Sequence, residues 1–194
     1  MSDFQLYFTL GFKHVLSLDG YDHILFLAML ALPYSFKEWR QVLLLATLFT
    51  IGHTMSLVLG VYGLITVNSG PVEFLISLTI FVTALFNIFK PKTGTSGSIN
   101  AIALLTLFFG ILHGLGFSHG FTMLVAGNRE NTFLSLMEFT LGIETAQLIA
   151  VLGVVLLSLI ATQVFKVHRR DWLLVISAFV AGISLPLIIE NRFW

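Results

Sequence analysis

The sequence contains no cysteine and very little charge. Without cysteine the chain forms no disulfide, offers no thiolate ligand and has no cysteine nucleophile. Charged residues make up only 10% of the 194 residues, whereas soluble chains carry roughly 25%. Lysine plus arginine and aspartate plus glutamate number ten each, so the net charge is zero and no nucleic-acid partner is expected. These features exclude an ordinary soluble domain.

Long apolar runs are what the chain has instead, with 57% hydrophobic residues and a mean hydropathy of +0.94. They predict an all-α polytopic membrane helix bundle that forms a single integral membrane domain over residues 1–194. About six transmembrane helices of near ~20 residues each are expected, after a short interfacial or re-entrant helix at 4–18. The predicted spans are 21–34, 38–67, 71–89, 100–126, 132–165 and 171–189. A turn is expected at Asp19-Gly20, and a flexible linker at 90–98.

The distribution of lysine and arginine predicts the orientation of this bundle. With six spans, seven basic residues fall in the loops on one side and three on the other. Since basic loops remain in the cytoplasm, both termini are expected in the periplasm, as for a protein of the bacterial inner membrane. The lipid bilayer is then one partner of the chain. The sequence does not indicate an oligomeric state.

Several ionisable residues interrupt the apolar spans. His14, Asp22 and His23 lie at the start of a hydrophobic helix. Such groups are rare in membrane helices and are usually functional, and imidazole with carboxylate forms a nitrogen and oxygen ligand set suited to a divalent transition metal. Five of the six histidines lie on or within the apolar spans, and only His168 lies in a basic loop. Packing alone gives no reason for that concentration.

Depth along the spans separates these residues into two tiers. A rise of ~1.5 Å per residue places three of them near the middle of a ~30 Å core, and three nearer the outer mouth. The deep set is His53, His113 and Glu144, and the outer set is His14, His23 and His119. The alternative for His53 is a simple hydrogen bond between helices. His113 and His119 lie six residues apart and would not face one site on an ideal helix, although Gly114 between them permits a kink or close packing.

Four motifs follow one another along the spans: GYDHILFL at 20–27, FTIGHT at 49–54, HGLGFSHG at 113–120 and LGIETAQ at 141–147. In this order they resemble the HupE/UreJ family of small membrane proteins, in particular its second, shorter branch. Members of that family are regarded as nickel/cobalt permeases associated with hydrogenase and urease systems. The resemblance implies a metal path of Asp22, His23, His53, His113, His119 and Glu144, with His14 in support.

The leading hypothesis is therefore a permease for a divalent transition metal. The resemblance puts nickel or cobalt first, and zinc, iron and manganese remain open. Mg²⁺ and Ca²⁺ favour oxygen ligands, and Cu(I) favours cysteine and methionine. One alternative is an intramembrane metal-dependent hydrolase, in which histidines and a carboxylate hold Zn²⁺ and Glu144 is the general base. Another is a metal-binding accessory protein without transport. In a permease, Glu144 could also carry a compensating proton.

Overall fold

Helices account for the regular structure throughout the part of the chain that the computed structural model describes. That part comprises residues 3–17, 20–89, 99–125 and 132–194, without the side chains of 99–101. Asp19, of the predicted turn, and the predicted linker 90–98 lie outside it. The helices are α1 (Asp3–Leu16), α2 (Tyr21–Ala31), α3 (Trp39–Val61), α4 (Ser69–Phe89), α5 (Ile99–Val125), α6 (Thr132–Gln163) and α7 (Arg169–Glu190). The predicted all-α membrane bundle is confirmed.

Five of these helices, α3 to α7, are long and apolar enough to cross a membrane. They correspond to the last five predicted spans, with ends that shift by a few residues. The largest shift is in α3, which ends at Val61, whereas its span was predicted to continue to residue 67. Gly63 adopts a φ of 71°, a left-handed conformation that commonly ends helices.

The first predicted span, 21–34, contains only the eleven-residue helix α2. Eleven residues extend ~16 Å, about half of a ~30 Å hydrocarbon core. The predicted helix 4–18 corresponds to α1 (Asp3–Leu16), which packs along α6, and Leu18 lies outside the described residues. Both short helices run antiparallel to α5, as four ring contacts in chain order show: Tyr7 with Phe121, His14 with Phe117, His23 with His113 and Phe26 with Phe109. The two short helices therefore follow one another along the bundle as one interrupted pass.

Glycines allow two pairs of helices to pack with their backbones in contact. On α5, a Cβ at Gly110 would overlap the carbonyl of Phe49, and one at Gly114 would overlap the carbonyl of His53. Gly142 of α6 lies against the carbonyl of Phe8 on α1 in the same way. Small residues at such positions let membrane helices approach closely. The α3/α5 contact places the backbone of His53 within one turn of His113.

Contacts at the ends of the bundle show which termini lie together. Phe193 and Trp194 pack on Phe74, near the start of α4. Tyr7 packs near the end of α5, which runs parallel to α3 because Gly60, near the end of α3, lies against Ser118. Since α4 starts just after α3 ends, both ends of the chain lie at the same end of the bundle.

Candidate metal site

Three imidazoles from three different helices converge inside the bundle. His14 of α1, His23 of α2 and His53 of α3 each offer one ring nitrogen within 4.8 Å of the others, and together they are called the histidine site. Their ring centroids are 4.7 to 5.8 Å apart. His23 and His53 are buried, and His14 is half-buried. His113 of α5 lies beside the site, with its ring 5.0 Å from that of His23.

The interruption between α1 and α2 creates the first half of this site. His14 lies in the last turn of α1, and His23 lies in the first turn of α2. Gly20 contacts the carbonyl oxygen of His14 so closely that a Cβ there would overlap it. Glycine at this position therefore lets α2 begin directly beside the last turn of α1. A continuous helix would have separated the two imidazoles by about 13 Å along its axis.

Hydrogen bonds orient two of the imidazoles so that one nitrogen of each stays free. The Nδ1 atom of His23 lies 3.0 Å from Oδ1 of Asp22, and Nδ1 of His113 lies 2.8 Å from the carbonyl oxygen of Phe109. Both partners are acceptors, so each Nδ1 carries the proton and each Nε2 presents its lone pair. Metal-bound histidines commonly donate their second N–H to such a carboxylate or carbonyl.

Five further ring nitrogens, all buried, have no hydrogen-bond partner among the described residues. This holds for Nε2 of His14, His23 and His113 and for both ring nitrogens of His53. A buried polar atom left without a partner is costly and needs an explanation. A metal ion that used these lone pairs would supply one.

Phenylalanine rings form the walls of the site. Phe49 lies 6.1 Å from His23, 6.3 Å from His53 and 5.0 Å from His113, between ring centroids. Phe117 lies 4.0 Å from His14. These rings keep bulk water away and lower the local dielectric constant, so each ligand interaction is stronger than at a surface.

The three free nitrogens fit a transition-metal ion after a small movement. Nitrogens bound at ~2.0–2.1 Å to one tetrahedral ion lie ~3.4 Å apart. The ring nitrogens of the three histidines lie up to 4.8 Å apart. To bind one ion, the rings would therefore have to turn inward by roughly an ångström, a movement that side-chain rotation allows. Three neutral nitrogens leave further coordination positions for water or for His113.

Asp22 connects the site with a polar cleft of about 190 Å³. The cleft is lined by Tyr21, Asp22, Glu73, Ile76, Ser77, Leu187 and Asn191. Asn191 donates to Ser77 Oγ at 3.0 Å, so α7 closes the cleft against α4. Because α4 starts and α7 ends here, the cleft lies towards the end of the bundle that carries both termini. Glu73 and Asn191 were not predicted, since only the contact between α4 and α7 places them near Asp22.

Two predicted ligands lie outside the histidine site. His119 is exposed, six residues beyond His113 and on another face of α5, so the expected approach of His119 to His23 does not occur. Glu144 accepts hydrogen bonds from Thr47 Oγ1, at 2.8 Å, and from Thr50 Oγ1. Thr47 and His53 are six residues apart and lie on different faces of α3, whereas Thr50 lies one turn before His53. The carboxylate of Glu144 is not one of the ligand atoms that meet within 4.8 Å at the histidine site. The predicted deep tier is therefore divided: His53 and His113 join the outer histidines, and Glu144 belongs to a separate group.

The fold and this site define a class of protein: a helical membrane bundle with a cluster of imidazoles from three helices that could hold a metal ion. The family model described as HupE / UreJ protein matches residues 1–191, and the chain belongs to that family. This membership confirms the resemblance in the four motifs and links the chain to nickel and cobalt transport in general terms. No curated protein and no solved structure matched the chain.

Proposed function

We propose that the chain is a permease for a divalent transition metal ion, nickel or cobalt first, which binds in transit at the histidine site. One observation carries this proposal: imidazoles from three helices meet inside an apolar bundle with unpartnered nitrogens. Nitrogen ligands suit nickel and cobalt better than Mg²⁺ or Ca²⁺. Membership of the HupE/UreJ family supports the choice of ion.

The proposed path begins in the polar cleft at the end of the bundle that carries the termini. Asp22 lines this cleft and also contacts Nδ1 of His23, so an ion attracted by the carboxylate arrives next to the first imidazole. The histidine site then replaces part of the hydration shell. His113 lies further along the axis, between Phe26 and Phe49, and is positioned to take the ion onward.

The charge of the site suits an ion that must leave again. Its ligands are neutral imidazoles, and the adjacent carboxylate of Asp22 is engaged with His23 rather than with the free nitrogens. A site with two or three carboxylates would hold a doubly charged ion far more strongly in this low dielectric. Conduction needs binding that permits both entry and release.

The alternative of a metal-dependent hydrolase finds less support in this arrangement. It requires a general base within hydrogen-bond reach of a metal-bound water. Glu144 instead contacts Thr47 and Thr50, and Asp22 orients His23. Neither carboxylate is free beside the three nitrogens. A metal-binding accessory protein would share the site but would not move the ion, and transport distinguishes it.

Metal analysis followed by uptake tests the permease directly. The purified protein is equilibrated with Ni²⁺ or Co²⁺ and its bound metal is measured, and uptake is then followed in proteoliposomes. His53→Ala removes a buried ligand, and we expect both bound metal and uptake to fall at least tenfold. His168→Ala is the matched control, because His168 is exposed and only precedes α7. Binding without uptake would indicate the accessory role, and full binding by His53→Ala would contradict the site.

A further inference from the structure

We propose that Glu144, with Thr47 and Thr50, forms a proton site that is separate from the histidine site and exchanges its proton during metal transport. The coupling to transport rests on the proposed function, whereas the binding of the proton does not. Glu144 projects from α6 towards α3, where the two threonine hydroxyls contact its two carboxylate oxygens. Gln147, one turn further along α6, completes the group.

The hydroxyl of Thr50 has fewer hydrogens to donate than it has acceptors around it, so the group has room for one more proton. Its hydroxyl oxygen faces three acceptors: the carbonyl of Ala46 at 3.3 Å, Oε1 of Gln147 at 3.1 Å and Oε2 of Glu144. One hydroxyl hydrogen serves one acceptor well. When Glu144 is protonated, its Oε2–H donates to Thr50, and the Thr50 hydroxyl is free to donate to Gln147. The added proton thus provides a hydrogen bond that the ionised arrangement lacks.

The same residues also accommodate the ionised form. Thr47 and Thr50 then both donate to the carboxylate. Gln147 is fully buried, and its Nε2 has no partner among the described residues. If its amide turns by half a rotation, Nε2 donates to the Thr50 oxygen that has just given its hydrogen to Glu144. Each protonation state therefore has its own hydrogen-bonding pattern on the same backbone.

The surroundings allow a neutral Glu144. An open and largely apolar groove of about 630 Å³ lies against it, lined from α3 by Thr47, Thr50, Ile51, Thr54, Met55, Val58 and Leu59 and from α6 by Thr140, Leu141 and Glu144. Glu144 is the single titratable group among these, and no basic side chain faces it there. An ionised carboxylate without a cation is costly in a membrane, so proton uptake removes that cost.

No hydrogen bond or ion pair found among the described residues joins Glu144 to a histidine. Of its two threonine partners, Thr47 lies on a face of α3 that differs from the face of His53, whereas Thr50 lies one turn before His53. The Glu144 carboxylate is nevertheless not among the ligand atoms that lie within 4.8 Å of one another at the histidine site. The two groups also differ as ligands. The histidine site offers nitrogen atoms, whereas Glu144 and its threonine and glutamine partners offer oxygen atoms. We therefore assign the metal to the histidines and the proton to Glu144.

Metal binding by Glu144→Gln separates this proposal from a role as metal ligand. The variant keeps the shape of the side chain and removes its titration. We expect the Kd for Ni²⁺ in detergent to stay within about threefold of wild type, well below the tenfold that 1.4 kcal/mol represents. A loss as large as that of His53→Ala would make Glu144 a ligand and overturn the proposal.

Uptake into proteoliposomes tests the exchange of protons. An acidic lumen should drive Ni²⁺ inward, with accumulation rising by up to about tenfold per pH unit for each coupled proton. Glu144→Gln should lose this response, whereas Glu190→Gln, an exposed residue at the end of α7, should keep it. A response retained by Glu144→Gln, or one that follows a Na⁺ gradient instead, would overturn the coupling.

Infrared difference spectra recorded without metal test the proton site alone. Among the carboxylic acid C=O bands that change with pH, one component should be present in wild type and Glu190→Gln and missing from Glu144→Gln. If Glu144→Gln does not fold, Glu144→Asp takes its place and should shift the band. Spectra in which all variants match wild type would overturn the proton site. A band that depends on Glu144 in a protein that binds no metal would leave the proton site intact and contradict the proposed function.

Discussion

Asp22 carries the charged side chain that orients the imidazole of His23. Its carboxylate contacts Nδ1 of His23 at 3.0 Å and also the backbone N–H of the same residue at 2.9 Å. This arrangement fixes the imidazole with Nε2 towards His14 and His53. Asparagine keeps the size of the side chain but removes the charge that stabilises His23 as a donor.

We expect Asp22→Asn to weaken metal binding by about 10- to 100-fold, the usual cost of losing such an outer carboxylate. The binding constant of the purified protein for Ni²⁺ or Co²⁺ measures this effect. Asp171→Asn is the control, because Asp171 is exposed in the first turn of α7. Equal affinities for both variants would show that Asp22 does not support the site.

His119 provides a test of the boundary of the site. The side chain is exposed and has no ring contact with the four clustered histidines. We expect His119→Ala to bind metal with an affinity within about twofold of wild type, since a residue outside a contact network contributes little to it. Metal titration of the variant checks this. A loss comparable to that of His53→Ala would extend the site to His119.

The sequence predicted the members of the histidine site better than it predicted how the candidate residues group. Motifs and burial in apolar spans pointed to His23, His53 and His113, which the structure brings together. Depth along each helix suggested that Glu144 joins them, but depth does not determine which way a side chain faces. Glu144 faces the threonines of α3, and that direction depends on how α3 and α6 are rotated against each other. The relative rotation of two packed helices cannot be predicted from a single sequence.

At the scale of helices, the contact between α3 and α5 holds two of the histidines in place. Gly114 lies against the carbonyl of His53 and the hydroxyl of Ser56, with no room for a Cβ. Gly153 of α6, in contrast, has open space beside it. The two glycines therefore offer a matched pair for testing whether this contact positions the site.

We expect Gly114→Ala to destabilise the protein by about 1–3 kcal/mol, the usual cost of overpacking, and to reduce bound metal because α3 must move away from α5. Gly153→Ala should change neither, or should stabilise slightly through the higher helix propensity of alanine. Thermal unfolding in detergent and metal content measure the two effects. Equal behaviour of the variants would contradict a positioning role for the contact.

The interrupted first pass shows what helix prediction from sequence could and could not provide. A turn at Asp19-Gly20 and a separate short helix before it were both predicted. What the sequence left open was whether α1 lies at the membrane surface or enters the membrane, and it did not indicate that α2 continues the direction of α1. That depends on tertiary contacts, above all Gly11 and Gly142, which let α1 enter the bundle against α6. Local pattern determined the helices, and packing determined their arrangement.

At the scale of the whole molecule, Arg169 and Arg40 lie at the end of the bundle where α2 ends and α3 begins. Arg169 donates to the carbonyl of Pro33 at 2.9 Å, so the start of α7 lies beside the end of α2. Arg40 stacks over Trp39 at the start of α3. Helix α4 ends on the same side as α2, because Asn87 donates to the carbonyl of Met29, and the sequence continues from there into 90–98, outside the described residues. If α1 and α2 together count as one crossing, they bring the five long helices to six, the even number on which the predicted orientation depends.

Both termini are therefore expected in the periplasm, with the polar cleft of Asp22 open to the same side. A phosphatase reporter that is active only outside the cytoplasm should be active when fused after Trp194 and inactive when inserted at 90–98. The physical reason is that basic loops resist translocation, and seven of the ten basic residues lie on the side of the 90–98 segment. If the reporter is active at 90–98 and inactive after Trp194, the orientation is reversed. The cleft would then open to the cytoplasm, and the proposed path would carry metal from the cytoplasmic side towards the periplasm.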